Sequence, residues 1–339
     1  MKPSAVRSAL ATLIQAGEPA LLTGPPGAGK SDIIAAVTRE LNYDLILTMP
    51  VVDDPTDYKG LPARVDTATG PTAEFLPFGQ LQRMATATEP TVVVFEDLGQ
   101  AAPAVQAAVM QLLLARRING LPISDEVRFV GATNRREDKA GVAGILAPLL
   151  DRFTAVLPME FDVDEWVAWG LDNNMPLELL AFARFKPEQV SAFVAEDAKG
   201  MKKSATPRSV AGLGRLVNLG VRDPDVLKGA AGESFGMQFL AFRAVWDRLP
   251  NRTEIYMNPD SAPVPDEPDV RFALMGSLAH AASRGNIDST LRYLARLPRE
   301  YSVFCLKAAA KRNREIMDTH AFVRWATENA DVFSFDTAA

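Results

Sequence analysis

The segment GPPGAGKS, residues 24–31, constrains the fold of this chain more than any other feature. It fits the pattern G-x-x-x-x-G-K-[ST], follows the short apolar run ALLTG (20–24) and opens a helical pattern at about 30–41. A glycine-rich turn between a strand and a helix points backbone N–H groups inward, and the helix aims the positive end of its dipole at the same place. We therefore expect a loop that binds the phosphates of a nucleotide, in preference to a structural glycine-rich turn.

The pattern gives each part of this loop a chemical role. The backbone surrounds the β- and γ-phosphates, Lys30 brings a positive charge to them, and the hydroxyl of Ser31 ligates Mg²⁺. The loop alone does not distinguish a kinase, a GTPase or a remodelling ATPase. The predicted nucleotide-binding residues are Gly24, Pro25, Pro26, Gly27, Ala28, Gly29, Lys30 and Ser31.

The first half of the chain alternates between strand and helix patterns. Short apolar runs rich in β-branched residues predict buried strands at 20–24, 44–49, 91–95, 127–132 and 154–159. Helical patterns lie between them at about 30–41, 79–87 and 103–116. This alternation predicts a doubly wound α/β core around a parallel five-stranded sheet.

From about residue 160 the strand patterns stop. The amphipathic helix patterns that follow, several of them opened by Pro or Asp, are DVDEWVAWGLD, PLELLAFARF, PEQVSAFVAEDA and PRSVAGLGRLVNLG. A Pro- and Asp-rich connection (258–269) precedes four more helical runs near 269–283, 287–297, 299–312 and 315–329. We expect three domains: the α/β core at 1–158, a helical domain at 159–250 and a helical C-terminal extension at 251–339.

The charge and the cysteine content indicate which kinds of partner and which compartment to expect. The 339 residues carry a net charge of −6, whereas a generic nucleic-acid or anionic-membrane binder needs a basic field. The short basic clusters at 115–117, 134–136, 201–203 and 310–314 are interpreted as solvated faces. The single cysteine, Cys305, cannot form an internal disulfide and is expected to be a buried small hydrophobe. With no signal-peptide pattern and no membrane-length apolar run, we expect a cytoplasmic protein.

Three further polar sites accompany the predicted sheet. Glu96 and Asp97 end the strand at 91–95, where folds with a phosphate loop hold Mg²⁺ and polarise water. Asn134 ends the next strand, where its amide can contact the γ-phosphate or the attacking water, and Arg152 precedes the last strand as a donor of positive charge. The alternatives are a solvated acidic turn, a turn-forming Asn and an Arg in a surface salt bridge.

Together these residues resemble the MoxR branch of the AAA+ ATPases, especially its phage- and bacteria-borne relatives. GPPGAGKS looks like the Walker A motif, VVVFEDLGQAAPAVQAAVMQLL resembles the Walker B strand with its following helix, and GATNRRED is similar to the sensor 1 segment. LLDRF resembles the arginine-finger segment, and SATPRSVAGLGRLV resembles sensor 2, where Arg208 would reach the nucleotide from a helical lid. The resemblance covers about residues 5–247. A helix-start charge with no ligand is the alternative for Arg208.

The resemblance implies a catalytic order for the acidic pair. GQAAPAVQAAV fixes the register, so that Glu96 takes the family's Asp position in the Mg²⁺ shell and Asp97 takes its Glu position as the base that orients water. The side chain of Asp97 is one methylene shorter than the usual base, and a misplacement of ~1 Å costs on the order of 10²-fold in rate. We expect ATP and Mg²⁺ as cofactors and slow hydrolysis. A nucleotide-gated assembly scaffold with little hydrolysis is the alternative.

The resemblance also implies partners. An arginine remote from its own phosphate loop makes sense if it completes a neighbour's site, and the family forms rings, usually hexamers. The implied task is remodelling or maturing a client protein, for example one with a von Willebrand factor A domain. An insert with Tyr58, Lys59 and a hairpin around TATG would touch a substrate or partner, or would be a structural loop. A nucleic-acid motor is a further alternative that the acidic charge disfavours.

Overall fold

A computed structural model of the chain describes residues 1–68, 70–138, 144–246, 249 and 251–331. The chain divides into two compact units. The first contains Met1–Asp162 with Phe193–Ala195, and the second contains Val163–Ala192 with Glu196–Ala339.

The first unit alternates helices with strands from its beginning. Its helices are α1 (Pro3–Ala16), α2 (Lys30–Glu40), α3 (Pro55–Lys59), α4 (Gly79–Thr86), α5 (Pro103–Ala115) and α6 (Ala147–Leu150). Its strands are β1 (Ala20–Gly24), β2 (Asp44–Thr48), β3 (Leu61–Thr67), β4 (Gly70–Leu76), β5 (Thr91–Phe95), β6 (Arg117–Ile118), β7 (Leu121–Pro122), β8 (Val127–Asn134) and β9 (Ala155–Pro158). Short 3-10 turns cover Leu98–Gln100 and Arg136–Asp138.

A parallel five-stranded sheet, in the order β2-β5-β8-β1-β9, forms the centre of this unit. The predicted α/β fold with a parallel five-stranded sheet is therefore confirmed. Successive side chains of a strand point to opposite faces. In β5, Val92 and Val94 pack with α1 and α2 on one face, whereas Val93 and Phe95 pack with α3, α4 and α5 on the other. Because both faces of β5 are covered, all five of its residues are buried.

Helix α1 was not among the predicted elements. Its first residue is Pro3, which suits the first turn of a helix, and Gly17 ends it with a φ of 76°. Val6, Leu10 and Ile14 recur at helical spacing and are fully buried against the sheet. The apolar face of α1 therefore completes one layer of the core.

Two antiparallel hairpins interrupt the alternation. In the first, β3 pairs with β4 from Leu61↔Leu76 to Thr67↔Gly70, which confirms the predicted hairpin; Thr69 lies outside the described residues. In the second, β6 pairs with β7 across Asn119 and Gly120, which have φ values of 46° and 90°. Positive φ at both positions is what a two-residue Asn-Gly hairpin turn requires.

The rest of the chain is helical. The helices are α7 (Val163–Asp172), α8 (Leu177–Phe185), α9 (Pro187–Val190), α10 (Ala195–Lys199), α11 (Pro207–Asn218), α12 (Pro224–Ala231), α13 (Glu233–Trp246), α14 (Arg252–Met257), α15 (Pro268–Ala281), α16 (Ile287–Leu294), α17 (Arg299–Arg312) and α18 (His320–Glu328), with a 3-10 turn at Arg314–Asp318. None of the helices in the described part of the chain is long and apolar enough to cross a membrane.

Two of the predicted helices are interrupted. The pattern PEQVSAFVAEDA yields α9 and α10 with a break between them, because Ala192 leaves the helix and pairs with Ala205 as an isolated bridge. The run near 315–329 begins as a 3-10 turn and becomes α18 only after Thr319, whose hydroxyl accepts a hydrogen bond from the Phe322 amide at 3.3 Å. A bridge and a new N-cap therefore replace continuous helix at these places.

An aromatic cluster forms the core of the second unit. Phe182 on α8 lies within 5.3–5.8 Å of three rings of α13, measured between ring centroids. Cys305 on α17 is fully buried, as the sequence predicts. Burial raises the pKa of its thiol to about 12.

Candidate functional site

Three adjacent strands bring the predicted site residues to one edge of the sheet. Gly24 at the end of β1 pairs with Asn134 at the end of β8, and β8 pairs on its other side with β5, which ends at Phe95 just before Glu96. Because the strands are parallel, their carboxyl ends lie together, and ligands of open α/β sheets bind at this edge. The phosphate loop, Asn134 and the acidic pair therefore lie next to one another.

The backbone of the loop has the shape that the glycines predict. Gly27 and Gly29 have φ values of 69° and 92°, which L side chains rarely adopt. Helix α2 begins directly after Gly29, and no side chain caps its first turn. The N–H groups of that turn have no partner within the helix, so they are available to an anion.

Lys30 is buried at the centre of the site, with 7% of its surface exposed. Its Nζ donates hydrogen bonds to the carbonyl oxygens of Gly24 and Pro25, both at 3.1 Å, and to Oδ1 of Asn134 at 2.8 Å. These three acceptors are neutral groups. The bond to Asn134 also directs Nδ2 of that amide away from the lysine.

The acidic pair follows β5 in two different backbone conformations. Glu96 continues the ladder, because its N–H donates to the Thr48 carbonyl at 3.1 Å. Its Oε1 atom is shielded from solvent within the protein. Asp97 turns into the left-handed region with φ 50° and precedes the 3-10 turn. Asp and Asn are the residues other than Gly that tolerate this region best, so the second acidic position suits Asp in this backbone.

The chemistry of these residues fits a nucleotide with Mg²⁺. The donors are the Lys30 ammonium and the uncapped N–H groups of α2, which suit phosphate oxygens. The Ser31 hydroxyl at the first turn of α2 and the Glu96 carboxylate supply oxygen ligands of the kind that Mg²⁺ prefers. The partly buried Asp97 carboxylate is the remaining acceptor at this edge.

Arg152 does not lie at this edge. It follows α6 and precedes β9, where Ala155 pairs with Ala20 and the Thr154 amide donates to the Pro19 carbonyl at 2.9 Å. Arg152 is therefore beside the amino end of β1, whereas Lys30 follows its carboxyl end. The strand between them spans about 13 Å, at ~3.3 Å per residue.

Only part of the guanidinium of Arg152 takes part in an ion pair or hydrogen bond with the described residues. Its Nη1 lies 3.5 Å from Oδ2 of Asp151, and its buried Nε has no hydrogen-bond partner among the described residues. The side chain is 35% exposed. Arg152 thus has donors to spare on the surface of the first unit.

Arg208 belongs to the second unit. It lies in the first turn of α11, behind a capping box in which Thr206 and Ser209 exchange hydrogen bonds. Its side chain is exposed. A cation is unfavourable at the positive end of a helix dipole, so the helix itself gives no reason for an arginine at this position.

The insert differs from expectation at Tyr58. Its side chain is 1% exposed, its ring centroid lies 6.1 Å from that of Phe95, and its hydroxyl donates to Oδ2 of Asp53 at 2.6 Å. Burial, followed by the bond to Asp53, raises the pKa of Tyr58. The expectation that Tyr58 touches a substrate or partner is therefore wrong, because this residue is part of the core. Lys59 remains partly exposed.

The basic cluster at 115–117 was also misinterpreted at Arg116. This residue is partly buried, donates from Nη2 to the carbonyls of Ser124 (2.7 Å) and Val127 (3.0 Å), and lies over the ring of Phe129. Burial lowers its pKa. Arg116 therefore holds the second hairpin on the sheet and is not a solvated charge.

Sequence interpretation also missed Gln106, a buried amide on α5 that is 2% exposed. The signal was present, because Gln106 lies beside Val105 on the face of α5 that also carries Val109 and Leu112. A polar residue on the core face of an amphipathic helix must find hydrogen-bond partners.

Comparison with known proteins supports the fold and the loop. Residues 19–153, less than half of the 339 residues, match the AAA domain (dynein-related subfamily). No curated protein sequence matches the chain.

Several solved structures are similar to the chain at low identity. One is the RuvB Holliday junction branch migration motor of Thermotoga maritima, with 19% identity and a TM-score of 0.40 over 81% of each chain. Another is NtrX from Brucella abortus in complex with ADP, with 13% identity and a TM-score of 0.42 over 97% of this chain and 68% of that chain.

The match covers four of the five strands of the sheet (β1, β2, β5 and β8), together with the phosphate loop, the acidic pair and Asn134. The sheet order and the glycine-rich turn before α2 agree with it. Residues 19–153 are therefore similar to an AAA domain of the dynein-related subfamily in sequence.

Proposed function

We propose that this chain is a MoxR-type AAA+ ATPase that binds ATP with Mg²⁺, hydrolyses it slowly and uses the cycle to remodel or mature a partner protein. The observation that carries the proposal is the meeting of Lys30, Asn134 and the Glu96–Asp97 pair at the carboxyl ends of three adjacent strands.

Each residue has a defined task. The N–H groups of α2 and the Lys30 ammonium bind the β- and γ-phosphates, and Asn134 presents Nδ2 to the γ-phosphate or to the attacking water. Asp97 accepts a hydrogen bond from that water and orients it. Mg²⁺, held by Ser31 and Glu96, would supply charge neutralisation at the phosphates.

Two arginines complete the proposed site from other surfaces. Arg152 lies beside the amino ends of the strands, whereas Lys30 of the same chain follows the carboxyl end of β1. This separation favours a role for Arg152 at the phosphate loop of a second copy. Head-to-tail contacts of this kind close into a ring, and a hexamer is the form we propose. Arg208 is the proposed sensor 2 residue of a helical lid within 159–250.

The client is proposed by analogy with the MoxR branch: a protein with a von Willebrand factor A domain. Residues 251–339 are proposed as a separate helical extension, and Lys59 with the β3–β4 hairpin as a contact for the client. We also propose a cytoplasmic location.

Steady-state phosphate release with ATP and Mg²⁺ tests the proposal. Wild type should turn over, whereas Lys30→Ala should lose ATP binding and Asp97→Asn should bind ATP without turnover. Glu89→Gln, an exposed carboxylate just before β5, is the control and should behave as wild type. Equal turnover in wild type and Asp97→Asn would refute the role of Asp97.

A second function is favoured by the reversed acidic pair. If wild type binds ATP, assembles and releases no phosphate with or without a client, the chain is a nucleotide-gated assembly scaffold. Sedimentation with ATP and with ADP, beside the phosphate assay, separates the two functions.

A further inference from the structure

Gln106 uses its whole amide group inside the first unit. Its Nε2 donates to the carbonyl oxygens of Ala101 and Gly144, both at 3.0 Å, and its Oε1 accepts from the amide of Leu146 at 2.9 Å. An apolar residue could fill this volume, but only an amide satisfies two carbonyls and one N–H together. The three bonds connect α5 to two separate segments of the chain.

One of these segments is the turn that carries Asp97. The Gln100 amide donates to the Asp97 carbonyl at 2.8 Å, and the Ala101 amide donates to the Leu98 carbonyl at 3.2 Å. Ala101 is thus the end of a short hydrogen-bonded turn that begins at Asp97. Through these two hydrogen bonds, a shift of the Asp97 backbone would also move the Ala101 carbonyl.

The other segment leads to Arg152. The Leu146 carbonyl accepts from the amides of Leu149 and Leu150, both at 2.9 Å, and the Arg152 amide donates to the Leu149 carbonyl at 3.1 Å. Leu149 is fully buried in the same apolar cluster as Val105. The position of Arg152 is therefore set by how residues 144–150 dock on α5.

A direct backbone bond links the same two segments, since the Gly144 amide donates to the Gly99 carbonyl at 3.2 Å. Apolar packing of Leu149 is non-directional and allows sliding. The Gly99–Gly144 bond and the three bonds of Gln106 are directional, so they fix the register between the Asp97 turn and the Arg152 segment.

We propose that Gln106 is a positioning residue that couples the Asp97 turn of one copy to the Arg152 which that copy offers to its neighbour. The inference rests on the proposed function, because that function assigns the catalytic roles of Asp97 and Arg152. A change at the Asp97 turn in a copy's own site then moves its Arg152, and so alters the site of the next copy.

Hydrogen–deuterium exchange of the nucleotide-free full-length protein tests the coupling without any turnover. Gln106→Met keeps the volume and removes all three bonds, and we expect about tenfold faster exchange in a peptide spanning residues 144–153, because a buried hydrogen bond is lost. Gln111→Met, an exposed glutamine on the same helix, is the matched control and should leave this peptide unchanged. Unchanged exchange in Gln106→Met, or equal acceleration in every peptide, overturns the proposal.

A double-mutant cycle in the phosphate-release assay tests whether Gln106 acts through Arg152. We expect Gln106→Met to lower kcat by about 10- to 100-fold, because ~1 Å of misplacement costs on the order of 10²-fold. In the Arg152→Ala background, where the residual rate is measured in single-turnover reactions with excess protein over ATP, the same substitution should have little further effect. If the fold-reductions in rate caused by Gln106→Met and Arg152→Ala multiply in the double variant, Gln106 does not act through Arg152 and the proposal is overturned.

A further variant covers the case in which Gln106→Met does not fold. Gln106→Asn retains the amide and shortens its reach by one methylene, so it should accelerate exchange less than complete removal of the amide. Its effect on kcat should still be non-additive with that of Arg152→Ala. Failure of the proposed function gives a different result from failure of the coupling. If the proposed function is wrong, wild type shows no turnover, whereas hydrogen–deuterium exchange of residues 144–153 still reports whether Gln106 holds this segment.

Discussion

Lys30 and Asn134 are joined by a hydrogen bond of 2.8 Å from Nζ to Oδ1. The bond links the phosphate loop to the end of β8 and uses Oδ1 of Asn134, so that Nδ2 is the donor of that amide. A γ-phosphate that draws Lys30 toward itself competes with Asn134 for the ammonium. The occupancy of the loop and the orientation of the amide are therefore coupled.

Two substitutions of Asn134 should separate binding from turnover. Asn134→Ala should bind ATP with nearly unchanged affinity and lose about 10²–10³ in kcat, the cost of removing one oriented donor. Asn134→Asp should pair with Lys30 and repel the γ-phosphate, so it should weaken ATP binding. Titration with a fluorescent ATP analogue and phosphate release measure the two quantities.

The contrast between the two variants is the internal control, because both remove the amide nitrogen at the same position. Equal ATP affinity in Asn134→Ala and Asn134→Asp would show that the Lys30–Asn134 bond does not govern the loop.

The acidic pair gives a second prediction. Exchange of the pair, Glu96→Asp with Asp97→Glu, should raise kcat by about tenfold or more, since the longer base recovers part of the ~1 Å that costs on the order of 10²-fold. Glu in the left-handed backbone at position 97 should cost about 1 kcal/mol of stability. Phosphate release and thermal unfolding measure the two effects. A lower kcat in the exchanged variant would mean that the backbone at 97 is adapted to Asp.

The sequence predicted the central sheet because its five strands are apolar runs bounded by turn residues. It also placed Lys30, Asn134 and the acidic pair at one edge, since parallel strands share their carboxyl ends. The left-handed backbone of Asp97 and the burial of Tyr58 could not be predicted, because both depend on tertiary contacts. Periodicity alone would likewise predict an apolar residue at Gln106, whose partners lie up to 40 residues away.

Arg208 and Arg215 lie at opposite ends of α11 and form a matched pair. Removing the cation from the first turn with Arg208→Ala should leave stability unchanged or raise it by about 0.3–1 kcal/mol, whereas Arg215→Ala in the last turn should lower it by a similar amount. Only Arg208→Ala should also reduce turnover. Thermal unfolding and phosphate release test this opposite pattern. If Arg208→Ala releases phosphate at the wild-type rate, Arg208 has no role at the nucleotide site.

Cys305 predicts a pH dependence of stability. Burial raises the pKa of its thiol from 9.0 to about 12. Below pH 9 both folded and unfolded chains keep the proton; between pH 9 and 12 the unfolded chain loses it first, so stability falls as pH rises. The slope from this group is at most about 1.4 kcal/mol per pH unit.

Denaturant unfolding at pH 8 and pH 10 measures this slope, and Cys305→Ala should flatten it. Iodoacetamide at pH 8 should label the denatured protein and spare the folded one. Rapid labelling of the folded protein would contradict the burial of the thiol.

The position of Arg152 predicts complementation between inactive variants. Arg152→Ala keeps Asp97 in its own site but offers no arginine, and Asp97→Asn offers the arginine but lacks the base. If Arg152 acts on a neighbour, a mixed ring joins an intact Asp97 to an intact Arg152 at roughly a quarter of its interfaces for an equal mixture. Phosphate release should then reappear on mixing after subunit exchange. If Arg152 served its own phosphate loop, no mixed interface would be complete and the mixture would stay as inactive as its components. The sheet geometry favours recovery, because β1 separates Arg152 from Lys30 within one chain.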